Sequence, residues 1–173
     1  MDYLVIDGYN VIGAWPQLKK TKDFALADAR QKLVEILREY QAFTGKYIIL
    51  VFDAYRSKGE KATTHLPGME IRFTDYGQTA DTLIESLVAR LAEQNQAVGV
   101  VTSDWAQQQI VLGKGARRWS SREFYLEVKK IVGQIANAAD STALDRRTTE
   151  LKNRIAAKDL KALQAMMEKD SEA

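Results

Sequence analysis

Apolar residues run continuously at three places in the chain: Tyr3-Leu4-Val5-Ile6, residues 47–52 (Tyr-Ile-Ile-Leu-Val-Phe) and residues 98–102. Runs without polar alternation predict strands covered on both faces, as in a parallel sheet. Residues 70–74 predict a fourth, shorter strand. Elsewhere the apolar spacing changes to three and four. Leu26, Ala29, Leu33, Ile36, Leu37 and Tyr40 line one face of a predicted helix of about 20 residues, capped by Asp23 and ended by Gly45. Thr79 caps a second helix with Leu83, Ile84, Leu87, Val88 and Leu91 inward. Asp104 with Gln107, and Ser120 with Glu123, have capping-box spacing. The first pair opens a helix ended by Gly113 and Gly115, the second a helix to about residue 136. The stretch with Gly13 and Pro16 reads as a loop, and residues 54–68 as a polar, basic, turn-rich segment closing on Pro67-Gly68. Strands alternating with helices predict an α/β fold, a parallel sheet with helices on both faces. Residues 137–143 read as a linker, and a charged helical tail follows with Leu151, Ile155, Leu160, Leu163 and Met167 on its apolar side. The expected organisation is a domain over 1–136 and a helical extension over 137–173.

Composition narrows the chemistry. The 173 residues contain no cysteine, which removes disulfides, thiol catalysis and Cys-ligated metals. His65 is the single histidine, so a His-rich metal site and an HExxH motif are excluded. Neither a P-loop nor a complete dinucleotide fingerprint is present, and no small-molecule organic cofactor is expected. No apolar run reaches the roughly 18 residues that span a membrane, and the first residues do not read as a signal peptide. A cytoplasmic protein is expected, or one of an organelle stroma if the source bears plastids. Net charge is only +2, so bulk charge does not announce a nucleic-acid binder. Catalysis, if present, falls to carboxylates.

Asp7, Asp53 and Asp104 each follow a predicted buried strand. Ligands of parallel α/β sheets bind outside the carboxyl ends of the strands, so these three carboxylates should converge there. Asp81, in the first turn of its helix, should join them at the rim of the core, with Glu85 one turn on. Taken singly, each has a plainer role: turn residue, helix cap or favourable charge at a helix start. Together they would repel one another, and a hard divalent cation relieves that repulsion. An oxygen-only donor set points to Mg²⁺ or Mn²⁺, and phosphodiester hydrolysis is the matching reaction class. Asn10 and Ser103 can orient a water or a phosphate.

Basic residues concentrate between Lys114 and Lys130, where six basic side chains face two acidic ones. Trp119 lies among them and Trp105 nearby. Basic and aromatic side chains together suit single-stranded nucleic acid, although each can equally be core or solvated surface.

With Asp7-Gly8-Tyr9-Asn10, Val51-Phe52-Asp53-Ala54, Thr79-Ala80-Asp81 and Thr102-Ser103-Asp104 in place, the sequence resembles the YacP-like NYN family of PIN-related ribonucleases over roughly residues 1–135. Gly113-x-Gly115-Ala116 and Ser121-Arg122-Glu123 add to the likeness. The resemblance implies a three-layer α/β/α fold of PIN/NYN type and a Mg²⁺- or Mn²⁺-dependent endoribonuclease. It implies action on mRNA in association with the ribosome. Asp7, Asp81 and Asp104 match the family's metal-binding acids, and Asn10 and Asp53 its accessory positions. Relatives often carry a further acid where this chain has Thr82, and the tail beyond residue 137 offers no motif to transfer. In this reading Lys114, Arg117, Arg118, Arg122 and Ser103 hold the RNA. Two other functions compete: an RNA- or ribosome-binding module without activity, and a phosphoacceptor receiver domain. The second lacks the paired acids after the first strand, since Gly8 follows Asp7.

Overall fold

The computed structural model describes residues 2–23, 25–54, 63–75 and 77–134. The elements up to Val132 lie in one compact unit, Met1–Val132, and the fold described here is that unit's. The predicted linker and tail helix lie outside the described residues, as do Arg56, Lys58 and Lys61 of the basic loop.

In chain order the elements are β1 (Asp2–Asp7), α1 (Gly8–Ala14), α2 (Pro16–Lys22), α3 (Leu26–Thr44), β2 (Tyr47–Phe52), β3 (Thr63–Leu66), β4 (Met69–Phe73), α4 (Ala80–Glu93), β5 (Ala97–Val101), α5 (Trp105–Gly113) and β6 (Arg117–Trp119). A further helix, α6, runs over residues 121–134. The six strands form one sheet in the order β3-β4-β2-β1-β5-β6. Five strands are parallel, while β3 pairs antiparallel with β4. The sheet is therefore mixed rather than all-parallel. The exception is an edge hairpin that turns at Pro67-Gly68, where Gly68 holds φ of 70°.

The continuous apolar runs serve two cores. Alternate residues of β1 and β2 point to opposite faces. Leu4, Ile6, Ile48, Leu50 and Phe52 pack with residues of α1, α2, α3 and α6. Val5, Ile49 and Val51 pack with Ile84, Leu87, Val88 and Leu91 of α4 and Val111 of α5. The result is three layers, α/β/α.

The stretch after β1 is not a loop. Asp7 caps α1 by accepting from the Asn10 N–H at 3.0 Å, and Pro16 opens α2 as its first residue. Asp23 is the C-cap of α2, not the N-cap of α3, which starts after Ala25. Gly45 ends α3 with φ of 67°, as expected. β6 was not expected. It forms because Val100 and Val101 pair with Arg118 and Trp119, and because Gly99, without a side chain, leaves room for the Trp119 ring.

Candidate functional site

β1 and β5 are neighbours in the sheet, yet the chain leaves them toward opposite faces. After β1 it enters α1 on the α3 side, and after β5 it enters α5 on the α4 side. A topological switch of this kind opens a crevice at the carboxyl edge. Asp7 ends β1 and Asp104 caps α5, accepting from the Gln107 N–H at 2.9 Å. Thr79 caps α4 by accepting from the Thr82 N–H at 3.2 Å, which sets Asp81 in the first turn.

The carboxylates act on one another. Burial raises the pKa of Asp7 to about 6, and the charges of Asp81 and Asp104 push in the same direction. Hydrogen bonds from Asn10 and Tyr9 main-chain N–H groups offset part of the rise. Asp81 is raised by the partial desolvation of its carboxylate and then by Asp104, Glu85 and Asp53. Asp7, Asp81 and Asp104 thus lie within electrostatic reach of one another, and Asp53 within reach of Asp81. Among the described residues, no three His, Asp or Glu side chains are arranged to grip one ion directly.

The donor set nonetheless fits a hard cation. It is all oxygen, the anions of Asp7 and Asp81 are disfavoured where they stand, and Mg²⁺ usually keeps several waters and takes only one or two carboxylates directly. Beside it lies an acceptor with nothing to accept: Gln107 Oε1 is buried and has no hydrogen-bond partner.

Gln107 is the site residue that sequence reasoning missed. Its side-chain amide donates to Asp81 Oδ1 at 2.7 Å, from a residue only 2% exposed. The capping-box spacing was the signal, but only half of that box forms. The Asp104 N–H goes to Thr102 Oγ1 at 3.1 Å, which leaves the Gln107 side chain to reach across to α4. Asp81 itself is exposed, further out than the rim of the core.

Asn10 joins three segments. Its Oδ1 accepts from the Ser103 N–H and from the Ser121 hydroxyl, both at 3.0 Å. Ser121 N–H donates to Ser103 Oγ at 3.1 Å, and the Trp15 indole donates to the Ser121 carbonyl at 2.9 Å. The start of α6 is thereby fixed beside α1 and the β5–α5 turn. Both acceptances fall on Oδ1, so the Asn10 amide nitrogen keeps its donors for another group.

The basic residues part company. Arg122 lies exposed in the first turn of α6, next to Ser121, at the carboxyl edge. Arg118 pairs with Glu123 at 3.3 Å. Arg117 sits opposite Gly99 and lines a cleft with Ala97 and Val98, toward the amino end of the sheet. Lys114, from the C-terminus of α5, reaches Glu85, donating to its carbonyl at 3.2 Å. Arg30 of α3 is a cation that sequence reasoning did not single out. It donates to the Tyr9 hydroxyl at 3.0 Å and lies 5.8 Å from the Phe73 ring centre, at the same edge as Asp7.

Known proteins share this fold. A Bacillus subtilis (strain 168) protein named uncharacterized protein YacP is 44% identical over 137 residues, covering 78% of this chain and 79% of its own. The crystal structure of Rae1 (YacP) from Bacillus subtilis matches with a TM-score of 0.74 at 35% identity, covering 100% of this chain and 98% of that one. The crystal structure of a mutant of that same Bacillus subtilis protein matches with a TM-score of 0.68 at 40% identity, over 79% and 80% of the two chains. The family model described as YacP-like NYN domain matches residues 4–168, running well past residue 136. The chain belongs to the YacP-like NYN domain family.

Proposed function

We propose that this NYN domain is a metal-dependent endoribonuclease that cuts mRNA in association with the translating ribosome, in the cytoplasm, as a step of mRNA decay. The observation that carries the reading is the gathering of Asp7, Asp81 and Asp104 at the switch point between β1 and β5. Clustered anions facing a polyanion make sense only with a cation between them. The mRNA and ribosome parts rest on the family resemblance. Among the described residues, no helix is long and apolar enough to cross a membrane.

Asp7, Asp81 and Asp104 would hold Mg²⁺ or Mn²⁺. Bound there, such a cation polarises a phosphoryl oxygen and lowers the pKa of water. The chain's own residues do the rest. Gln107 keeps Asp81 turned to the crevice through its 2.7 Å hydrogen bond. Asn10, locked by Ser103 and Ser121, aims its amide donors at a phosphate oxygen or the attacking water. Asp53, within electrostatic reach of Asp81, would serve as a further acceptor. Arg122 and the Ser103 hydroxyl hold the RNA backbone at the edge. In-line attack on phosphorus, with the 3′ oxygen leaving, gives 5′-phosphate and 3′-hydroxyl ends.

A second reading, an RNA- or ribosome-binding module without activity, draws on one observation: the carboxylates are not arranged to grip an ion directly. One experiment separates the two. mRNA is incubated in a translating extract with Mg²⁺ or Mn²⁺ and either the native chain or Asp7→Asn, and product ends are mapped. Discrete cuts that vanish in Asp7→Asn are expected. Identical cuts from both proteins would sink the nuclease assignment. No cuts from either, with both sedimenting with ribosomes, would select the binding module.

A further inference from the structure

Helix α5 is inside out. Of its nine residues, Gln107 and Gln108 are buried with Val111, while Trp105, Ile110 and Leu112 face solvent. No residue from Trp105 to Gly113 is charged. The inward amides have work within the fold. Gln107 donates to Asp81, and Gln108 donates to the Thr102 carbonyl at 2.7 Å. The outward apolar side chains are exposed.

Trp105 stands out among them at 73% exposed. It is the first residue of α5 and directly follows Asp104, so its Cα lies one peptide, about 3.8 Å, from that of a site carboxylate. Among the described residues, no ring packs on it and no cation sits over it. The other two indoles are occupied. Trp15 is fully buried and bonded to Ser121, and Trp119 is partly buried with Lys46 over its ring at 5.5 Å. An indole left in water is a large, stiff apolar plane, and its burial by a partner is favourable.

Resting on the reading of the crevice as an RNA-cutting site, we infer that Trp105 is a stacking platform for one unpaired nucleobase of the substrate, next to the nucleotide being cut. The absence of charge along α5 favours a base over a phosphate as its occupant, while Arg122 serves phosphates elsewhere on the same edge. A base can lie flat on the indole only when it is not paired, so the platform selects an unpaired strand at the cut. Every base has a π-face, so it does so without reading the sequence.

The test is an abasic scan. Full-length chain carrying Asp7→Asn binds single-stranded RNAs of about 12 nucleotides, within the usual site sizes of such binders. Each RNA lacks the base at one position in turn. With Trp105 present, one position should weaken binding about 5- to 150-fold, the range of a lost base–aromatic stack. With Trp105→Ala added, that position should cost nothing further, and Trp105→Phe should keep most of the effect. Losses that add in full at every position would overturn the platform. So would unchanged RNA affinity in Trp105→Ala together with lost ribosome sedimentation, which would make the face a protein contact. Cleavage by the native chain, scored separately, keeps the two ideas apart. Cleavage without the coupling overturns the platform alone, and the coupling without cleavage supports the platform while the nuclease reading fails. No binding of any of these RNAs overturns the platform.

Discussion

Gln107, on the buried face of α5, donates its side-chain amide to the exposed carboxylate of Asp81 on α4 at 2.7 Å. Its main-chain N–H holds Asp104 at 2.9 Å, so one residue ties together two of the acids expected to bind metal. Groups that hydrogen-bond metal-binding carboxylates typically contribute 10- to 100-fold to affinity. Gln107→Leu should therefore raise the Mn²⁺ concentration needed for half-maximal cleavage by about that factor. Activity at saturating Mn²⁺ should fall less. The fold should tolerate the change, because leucine also removes the unpaired buried Oε1. An Mn²⁺ titration with a parallel melting curve checks both points, and an unmoved titration would remove Gln107 from the site.

Asp7 should make the metal-free protein less stable as pH rises. Its folded pKa is about 6 against an ordinary 3.8. Between those values the folded chain keeps a proton that the unfolded chain releases, so rising pH favours unfolding. The loss is complete above about pH 6 and is on the order of 3 kcal/mol. Asp81, also raised, acts in the same direction. Asp7→Asn can still cap α1, since asparagine caps as well as aspartate. Urea unfolding in chelator at pH 5 and pH 7.5 should show a marked fall for the native chain and a smaller one for Asp7→Asn. Equal falls would mean that the buried carboxylate is not the cause.

Gly8 tests how tightly the site is built. A Cβ at this position would overlap the edge of the Phe52 ring, which itself stacks on Phe73 at 5.5 Å. Overpacking of this kind costs about 1–3 kcal/mol. Gly8→Ala should lower the urea midpoint accordingly, and it should reduce cleavage because Asp7 is the adjoining residue. A variant as stable as the native chain would show that Phe52 can step aside.

Much of the frame is legible in the sequence where one residue's pattern serves one purpose. β1, β2 and β5 announce themselves because Val5 and Leu4, or Ile49 and Ile48, each feed a separate core. The aspartates at the strand ends follow from the same runs. Short elements are harder to read. α1 spans seven residues, fewer than two full periods beyond its cap, and its cap is the last residue of a strand. β6 is three residues whose strand character comes from pairing with β5 and from the space above Gly99. β3 is an exposed edge, so Thr63, Thr64 and His65 carry no burial pattern. Within the site, Gln107 was hidden behind its capping role. Only the Thr102 hydroxyl, by satisfying Asp104 first, frees its side chain for Asp81. The separation of Arg117 from Arg122 was equally invisible, because five residues of sequence turn the corner from the amino end of the sheet to its carboxyl edge.

The clamp on Asn10 also sets an order of assembly. Its two partners, Ser103 and Ser121, are made 93 and 111 residues after it. As the chain leaves the ribosome, β1 and its aspartate emerge first, with neither the β5–α5 turn nor α6 yet in existence. Domains fold as units during synthesis, and in this one the Asn10 clamp closes only when residue 121 is out. A nascent chain shorter than that lacks the full clamp on the Asn10 amide. The cleft is thus finished late in the domain's own translation, and chains that stop before residue 121 do not carry a finished site.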